Sequence, residues 1–379
     1  LLKTLWMIQH IGNNTFNALD TLWVLIASFL VFFMQAGFGM VEAGLIRAKN
    51  ASNILMKNMM DFSIASIGFF IFGYALMFGG SGPLFGTRGW FLAGAESYPG
   101  LPLYAFWMFQ AAFCGTAATI VAGGMAERMK FSAYILYSLI ISAFIYPIIG
   151  HWIWGGGWLA DLDFHDFAGS TVVHTTGGVA ALIGTVILKP RIGKFNNDGS
   201  PNFIAGHNMP LVALGVFILW LGWFGFNPGS TLGFGDPEQV ARVVINTNVA
   251  AAAGAVGGMI VAWTKYGKPD LALTLNGALA GLVAITAPCA IVTPLCAITI
   301  GIMGGILCVF GVRWLDLLKI DDPVGAVAVH GINGFWGTIA VGLFGQTALG
   351  APRDGLFWGG GFMQLGIQIL GALSVVAFV

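Results

Sequence analysis

The chain has 379 residues, 57% of them hydrophobic and 8% charged, with 16 basic and 16 acidic side chains. A soluble domain carries about a quarter charged residues, so the composition excludes an ordinary soluble domain, and the even charge balance leaves no net field to attract nucleic acid. With 56 Gly and 31 Phe, the chain suits helices that approach closely through small residues and fill the remaining space with aromatics.

A hydrocarbon core requires roughly 20 apolar residues per helix. By that measure the sequence predicts eleven transmembrane helices, at about 20–45, 54–79, 104–126, 131–154, 167–188, 208–227, 239–264, 271–289, 292–315, 327–349 and 357–379. Barrel strands, at about ten alternating residues each, do not fit runs this long and evenly apolar. Ahead of the first span, the stretch 1–18 lacks the uninterrupted apolar core of a signal peptide. Leu1 in place of Met points to processing or trimming, and Asn13-Asn-Thr15 fits a glycosylation sequon, a frequent chance match. The last span reaches Val379 without a polar flank, which points to a sequence that stops before the natural C-terminus.

Lys and Arg predict the orientation. With the N-terminus outside, the inner connections hold Arg47, Lys49, Lys57, Arg128, Lys130, Lys189, Arg191, Lys194, Lys265, Lys268, Arg313 and Lys319. The outer set holds only Lys3, Arg88, Arg242 and Arg353. Twelve against four places the C-terminus inside. The outer loop before the fifth span carries Asp161, Asp163 and Asp166 with no basic residue, which favours an approaching cation.

One pattern occurs twice, 156 positions apart. Asp166-Phe-Ala-Gly169-Ser-Thr-Val-Val173-His174-Thr-Thr-Gly-Gly178 opens the fifth span, and Asp322-Pro-Val-Gly325-Ala-Val-Ala-Val329-His330-Gly-Ile-Asn-Gly334 opens the tenth. Five spans per half is an odd number, so the halves must insert with opposite orientation, as inverted repeats do in many transporters. The expected architecture is an all-α polytopic membrane protein with an inverted five-plus-five pseudo-repeat, forming one membrane domain over 1–379. Spans one to five cover about 20–188, spans six to ten about 208–349, and span eleven starts at about 357. Two intramembrane imidazoles at matching positions mark a shared site on a permeation path. Packing of a symmetric helix pair around satisfied core histidines is the structural alternative.

Other features carry less. Cys114, Cys289, Cys296 and Cys308 sit in apolar stretches without a Cys-x-x-Cys pair and read as small buried hydrophobes. His151 and His165 flank an outer loop but lack further ligands at metal spacing, so no metal is expected. Glu42 and Asp61 lie near the inner ends of the first two spans, where pairing with neighbouring Arg or Lys is expected. There is no phosphate-binding Gly loop, nucleotide motif or Ser-His-Asp arrangement, so neither an enzyme nor a cofactor is expected.

The repeat and its surroundings resemble the ammonium transporter family (Amt/Mep/Rh). Asp166 to His174, running on to Lys189-Pro-Arg191, resembles the family's fifth-helix signature, and Trp223-Phe-Gly-Phe-Asn-Pro-Gly-Ser230 its sixth-helix motif. Asp321-Asp-Pro with His330-Gly is similar to the entry to the tenth helix. Phe109-Gln-Ala-Ala-Phe113, Ala126-Glu-Arg128, His151-Trp-Ile-Trp-Gly-Gly-Gly157 and Gln35 to Asn50 are similar to further segments. The resemblance covers essentially the whole chain.

It implies recruitment of ammonium at an outer aromatic cage made by Trp154, Phe113 and Ser230. A small cation over a Trp face gains about 0.5–2 kcal/mol, and a Ser oxygen accepts from the charged donor. By position alone Trp154 also fits an interfacial belt. Phe113 and Phe226 are implied as stacked gate residues that exclude hydrated ions. His174 and His330 are implied as a hydrogen-bonded pair lining a narrow pore, neutral because burial disfavours charge, and able to relay a proton by exchanging tautomers. Asp166 is implied to be essential at the outer site through structure and electrostatics, and it also suits an N-cap. Asp322, its mate, reads as a cap. His165, outside the family pattern, is a candidate for tuning cation affinity. Implied partners are ammonium or ammonia with methylammonium as analogue, membrane lipid, two further copies in a homotrimer, and a PII-type regulator at the cytoplasmic face of the plasma membrane. Two other readings stand beside the transporter. One is an ammonium sensor with a signalling domain beyond Val379. The other is a passive gas or urea channel, which needs no cation cage.

Overall fold

A computed structural model describes residues 16–80 and 82–379. The expectations placed on 1–15, among them Lys3 and the sequon at Asn13, lie outside the described residues.

Among the described residues, eleven apolar helices of ten residues or more run in chain order. They are α1 (Ala18–Leu45), α2 (Ala48–Phe78), α3 (Leu103–Gly124), α4 (Phe131–Asp161), α5 (Ser170–Leu188), α6 (Met209–Phe226), α7 (Pro237–Tyr266), α8 (Leu271–Ile285), α9 (Pro294–Leu317), α10 (Val327–Phe344) and α11 (Met363–Phe378). All but α8 and α11 are long enough to cross a bilayer by length and composition. Side-chain caps set several starts: Asn17 accepts from Leu19 and Asp20, Asn208 from Leu211, and Asp270 from Leu273. Each satisfies backbone N–H groups that the first turn leaves open.

Several ends differ from the hydropathy reading. The expected span 271–289 stops being helical at Ile285, and 286–292 continues as buried turns. The tenth helix ends at Phe344, not near 349, and the eleventh begins at Met363, after Gly359 and Gly361 take left-handed φ of 83° and 71°. Hydropathy follows side-chain polarity, whereas a helix ends where its hydrogen-bond ladder does.

The two halves interlock about a pseudo-two-fold axis. Helix α1 packs on α6, its counterpart in the second half. The opening turn of α5 packs on the body of α10, and the opening turn of α10 on the body of α5. The last glycine of each repeat lies at this crossing. A Cβ at Gly178 would sit 2.1 Å from the backbone N of Gly331, and one at Gly334 would sit 2.7 Å from that of Thr175, the residue matching Gly331. The first glycine of each repeat, Gly169 and Gly325, holds φ of 112° and 82°, a region that disfavours side chains.

Charged side chains cluster at one end of the bundle. Arg191 donates through Nε and Nη2 to Asp321 at 2.8 and 3.0 Å, and through Nη1 to Glu127 at 3.0 Å. Arg47 also pairs with Glu127, and Asn50 donates to it at 2.8 Å. Burial alone would raise Asp321, but the hydrogen bonds and charge of Arg191 outweigh it and hold the carboxyl below the usual range. Burial acts likewise on Glu127, and Arg47 and then Arg191 overcome it.

Glu42 and Asp61 depart from expectation, since neutral donors satisfy them in place of Arg or Lys. Asn58 donates to Glu42 at 2.7 Å. Tyr134, Thr119 and Gln35 donate to Asp61 at 2.6, 2.9 and 3.1 Å. The nearby Lys57 ammonium donates instead to the Met129 carbonyl at 3.1 Å. Between spans, hydroxyl and amide donors cost less to bury than a second charge.

Candidate functional site

A vestibule of about 490 Å³ opens at the end of the bundle opposite the Arg191–Asp321 cluster. Its walls include Phe109, Gln110, Phe113, Trp154, Phe167 and Ser230. The Trp154 indole N–H donates to the Asp166 carbonyl at 2.7 Å, which fixes the ring as a wall of the cavity. The Ser230 hydroxyl donates to the Phe226 carbonyl at 2.8 Å. Its proton is thereby committed, and the oxygen lone pairs remain as acceptors. Glu96 is the one charged residue on the vestibule wall among the described residues.

The floor is a pair of rings. Phe113 and Phe226 stack with centroids 4.0 Å apart and planes at 23°, both buried. Trp154 meets Phe113 edge-on at 6.2 Å. Beneath the pair, the His174 ring lies 5.4 Å from Phe226 and 5.3 Å from Trp223, near-parallel to both. Trp223 is itself held by Thr286 through a 3.0 Å hydrogen bond.

His174 and His330 face each other with their Nδ1 atoms 3.1 Å apart. Such a bond requires one Nδ1 to carry a proton and the other to accept it, so two neutral rings must hold different tautomers. His174 Nε2 has no hydrogen-bond partner among the described residues. Beyond His330 a pocket of about 20 Å³ continues the line, bounded by Phe38, Glu42, Asn276 and Val324 among others.

The repeated aspartates build the two helix starts. Asp166 accepts the backbone N–H groups of Gly169, Ser170, Thr171 and Val172 at 2.8–2.9 Å. Asp322 accepts those of Ala326, Val327 and Ala328. Both carboxylates are engaged with backbone, and Asp166 meets the vestibule only through Trp154. Each histidine lies in a π-helical turn, Ser170–Thr175 or Val327–Ile332. Widened turns of this kind are rare and frequent at functional sites. No residue pattern announces them; the left-handed glycine just before each is the trace in the sequence.

The remaining sequence candidates separate from this line. Gln368 brackets the backbone of His165, accepting from its N–H and donating to its carbonyl, and burial pushes the imidazole down to about 4. His165 does not border the vestibule. Both His151 nitrogens face carbonyls, of Met77 and Gly82. No metal-holding cluster occurs among the described residues, and all four cysteines are free and buried. Gln110, which sequence reasoning passed over, borders the vestibule with a buried Oε1 lacking a partner among the described residues.

The model of the Ammonium Transporter Family matches residues 22–379. Ammonium transporter Amt2 of Archaeoglobus fulgidus is 52% identical over 353 residues, covering 90% of this chain and 75% of the relative. Among solved structures, one described as Sensor Amt Protein aligns with a TM-score of 0.89 and 42% identity, over 95% of this chain and 90% of the other. Candida albicans Mep2 aligns with a TM-score of 0.89 and 32% identity, over 97% of this chain and 82% of the other. An eleven-helix inverted-repeat fold, matched along nearly its whole length by sequence and by structure, makes this chain a member of the ammonium transporter family.

Proposed function

We propose that this chain carries ammonium across a membrane, recruiting it at the Trp154 vestibule, removing its proton and passing ammonia along the His174–His330 pair. The observation that carries the reading is the order of parts on one line. An aromatic, acceptor-bearing vestibule leads to a stacked Phe113–Phe226 floor, and a Nδ1-to-Nδ1 histidine pair lies beneath it. Trp154, Phe113 and the Ser230 oxygen suit a small cation with N–H donors. Asp166 acts by capping α5 and holding Trp154. The apolar floor rejects ions that keep their hydration shell, and the histidines offer one donor and one acceptor to a neutral molecule. The Lys/Arg bias supports an outward Trp154 face and a cytoplasmic Arg191–Asp321 face in the cell membrane. Family membership supports a homotrimer with one pore per protomer, and the basic inner loops suit a PII-type regulator.

The test is ammonium-evoked current in proteoliposomes. A saturable current that Trp154→Leu weakens is the expected result; equal currents would remove the cage. A second reading, ammonium sensing, is favoured by the alignment to Sensor Amt Protein. Calorimetric ammonium binding without current would select it.

A further inference from the structure

Glu42 is a carboxyl that the vestibule-to-histidine line does not use, yet it stands at that line's far end. It sits near the C-terminal end of α1, 3% exposed, and borders the same pocket as His330. At about 20 Å³ that pocket holds one water-sized molecule. One carboxyl oxygen accepts from Asn58 at 2.7 Å, and no side-chain donor reaches the other, Oε1, among the described residues. Oε1 lies against Gly123, where an added Cβ would meet it at 3.3 Å and Val324 at 2.5 Å. The Gly123 backbone also hydrogen-bonds the carboxyl, and Val324 and Ala326, which border the pocket, lie against the same point. The neighbouring charges are Lys57 and Asp61 of α2, the first directed to the Met129 carbonyl and the second to Tyr134, Thr119 and Gln35. The remaining wall of the pocket, apart from His330 and Asn276, is apolar.

A buried carboxyl at the end of an apolar lumen has an evident use for a basic neutral molecule. We propose that Glu42 is the exit station of the pore: it gives ammonia leaving the histidine pair a proton and holds the resulting ammonium until release. The step breaks the carboxyl O–H bond and forms an N–H bond, leaving a carboxylate paired with ammonium. Departure of ammonium frees the carboxylate, which takes its next proton from water on the Arg191–Asp321 side. The assignment rests on the transport reading above and adds to it a second cation site, at the opposite end from Trp154.

The test uses the full chain in oriented proteoliposomes, with ammonium flux recorded while pH is varied on one face at a time. Glu42→Gln keeps an oxygen for Asn58 and cannot ionise. It is expected to lower flux about tenfold, the worth of one charge-assisted hydrogen bond. It should also abolish the response to pH on the Arg191–Asp321 face and leave the apparent affinity at the Trp154 face unchanged. Glu42→Asp, which retains a carboxyl, should keep that response at reduced flux. Wild-type flux and pH response in Glu42→Gln overturn the proposal, and equal losses in both variants overturn it in favour of packing. A silent wild type overturns the transport reading and the exit station together, and is told apart because Glu42→Gln then has no flux to lose.

Discussion

Trp154 and Asp166 are joined by one hydrogen bond, from the indole N–H to the backbone carbonyl, while the Asp166 carboxylate gathers four N–H groups of the α5 start. The residue that starts the histidine-bearing helix therefore also sets the vestibule wall. Asp166→Ala removes the acceptor for all four donors, at a cost of at least about 1–2 kcal/mol. The expected outcome is loss of ammonium flux with a shift in Trp154 fluorescence and a lower melting temperature. Asp166→Asn, which still offers one oxygen, should fall between the two. Unaltered fluorescence in Asp166→Ala would disconnect the cap from the vestibule.

The Phe113–Phe226 stack is the apolar partition between the vestibule and His174. Phe226→Ala removes one ring and opens a wettable gap above the imidazole. Potassium current is then expected to grow relative to ammonium current. Its ratio to ammonium should rise about tenfold for each 1.4 kcal/mol of dehydration barrier relieved. Phe106→Ala, on the vestibule wall but outside the stack, should leave the ratio unchanged. The current ratio in the two variants decides whether the stack is the selective element.

The repeat was the most legible part of the sequence, and the structure gives several of its shared letters a task. Asp166 and Asp322 cap, Gly169 and Gly325 turn left-handed, the histidines meet, and Gly178 and Gly334 form the crossing. Apolar length found the eleven helices. It missed the end of α8, because the segment after Ile285 stays apolar while its backbone turns. The π-helical turns were only faintly legible, since the left-handed glycine ahead of Ser170–Thr175 and of Val327–Ile332 marks a turn and not a widened helix. The partners of Glu42 and Asp61 were hidden. A carboxyl reads as half of an ion pair until the tertiary fold brings Asn58, Thr119 and Tyr134 to it.

The Arg191–Asp321–Glu127 cluster makes stability depend on acid. Both carboxyls are held below their ordinary values, so the unfolded chain binds protons more readily than the folded one. Their contribution is complete above the unfolded value of about 4 and is lost as pH falls through the lower folded values. Melting temperature should therefore decline on acidification below about pH 4. Asp321→Asn leaves Arg191 buried with one partner fewer, a loss of about 3–5 kcal/mol, and should flatten that acid limb. A melting curve whose acid limb is unchanged by the substitution would assign the pH dependence elsewhere.

The crossing of α5 and α10 sets how closely the two histidines approach. Gly178 lies four residues past His174, where an added Cβ would fall 2.1 Å from the backbone N of Gly331 and 2.8 Å from the carbonyl carbon of His330. Backbone atoms cannot swing aside as a side-chain tip can, so Gly178→Ala must separate the helices by an ångström or so. That displacement acts directly on the 3.1 Å His174–His330 contact, which does not survive as a hydrogen bond beyond about 3.5 Å. The variant should lose ammonium flux to the extent of a His174→Ala variant, although no histidine has been altered. Gly366→Ala, where an added Cβ meets nothing within 4 Å, serves as the matched control and should retain full flux. Imidazole nitrogen shifts read by NMR on labelled histidine would report the same separation: coupled resonances in the parent chain and Gly366→Ala, uncoupled ones in Gly178→Ala. Retained coupling together with retained flux in Gly178→Ala would mean that the crossing does not set the distance between the rings.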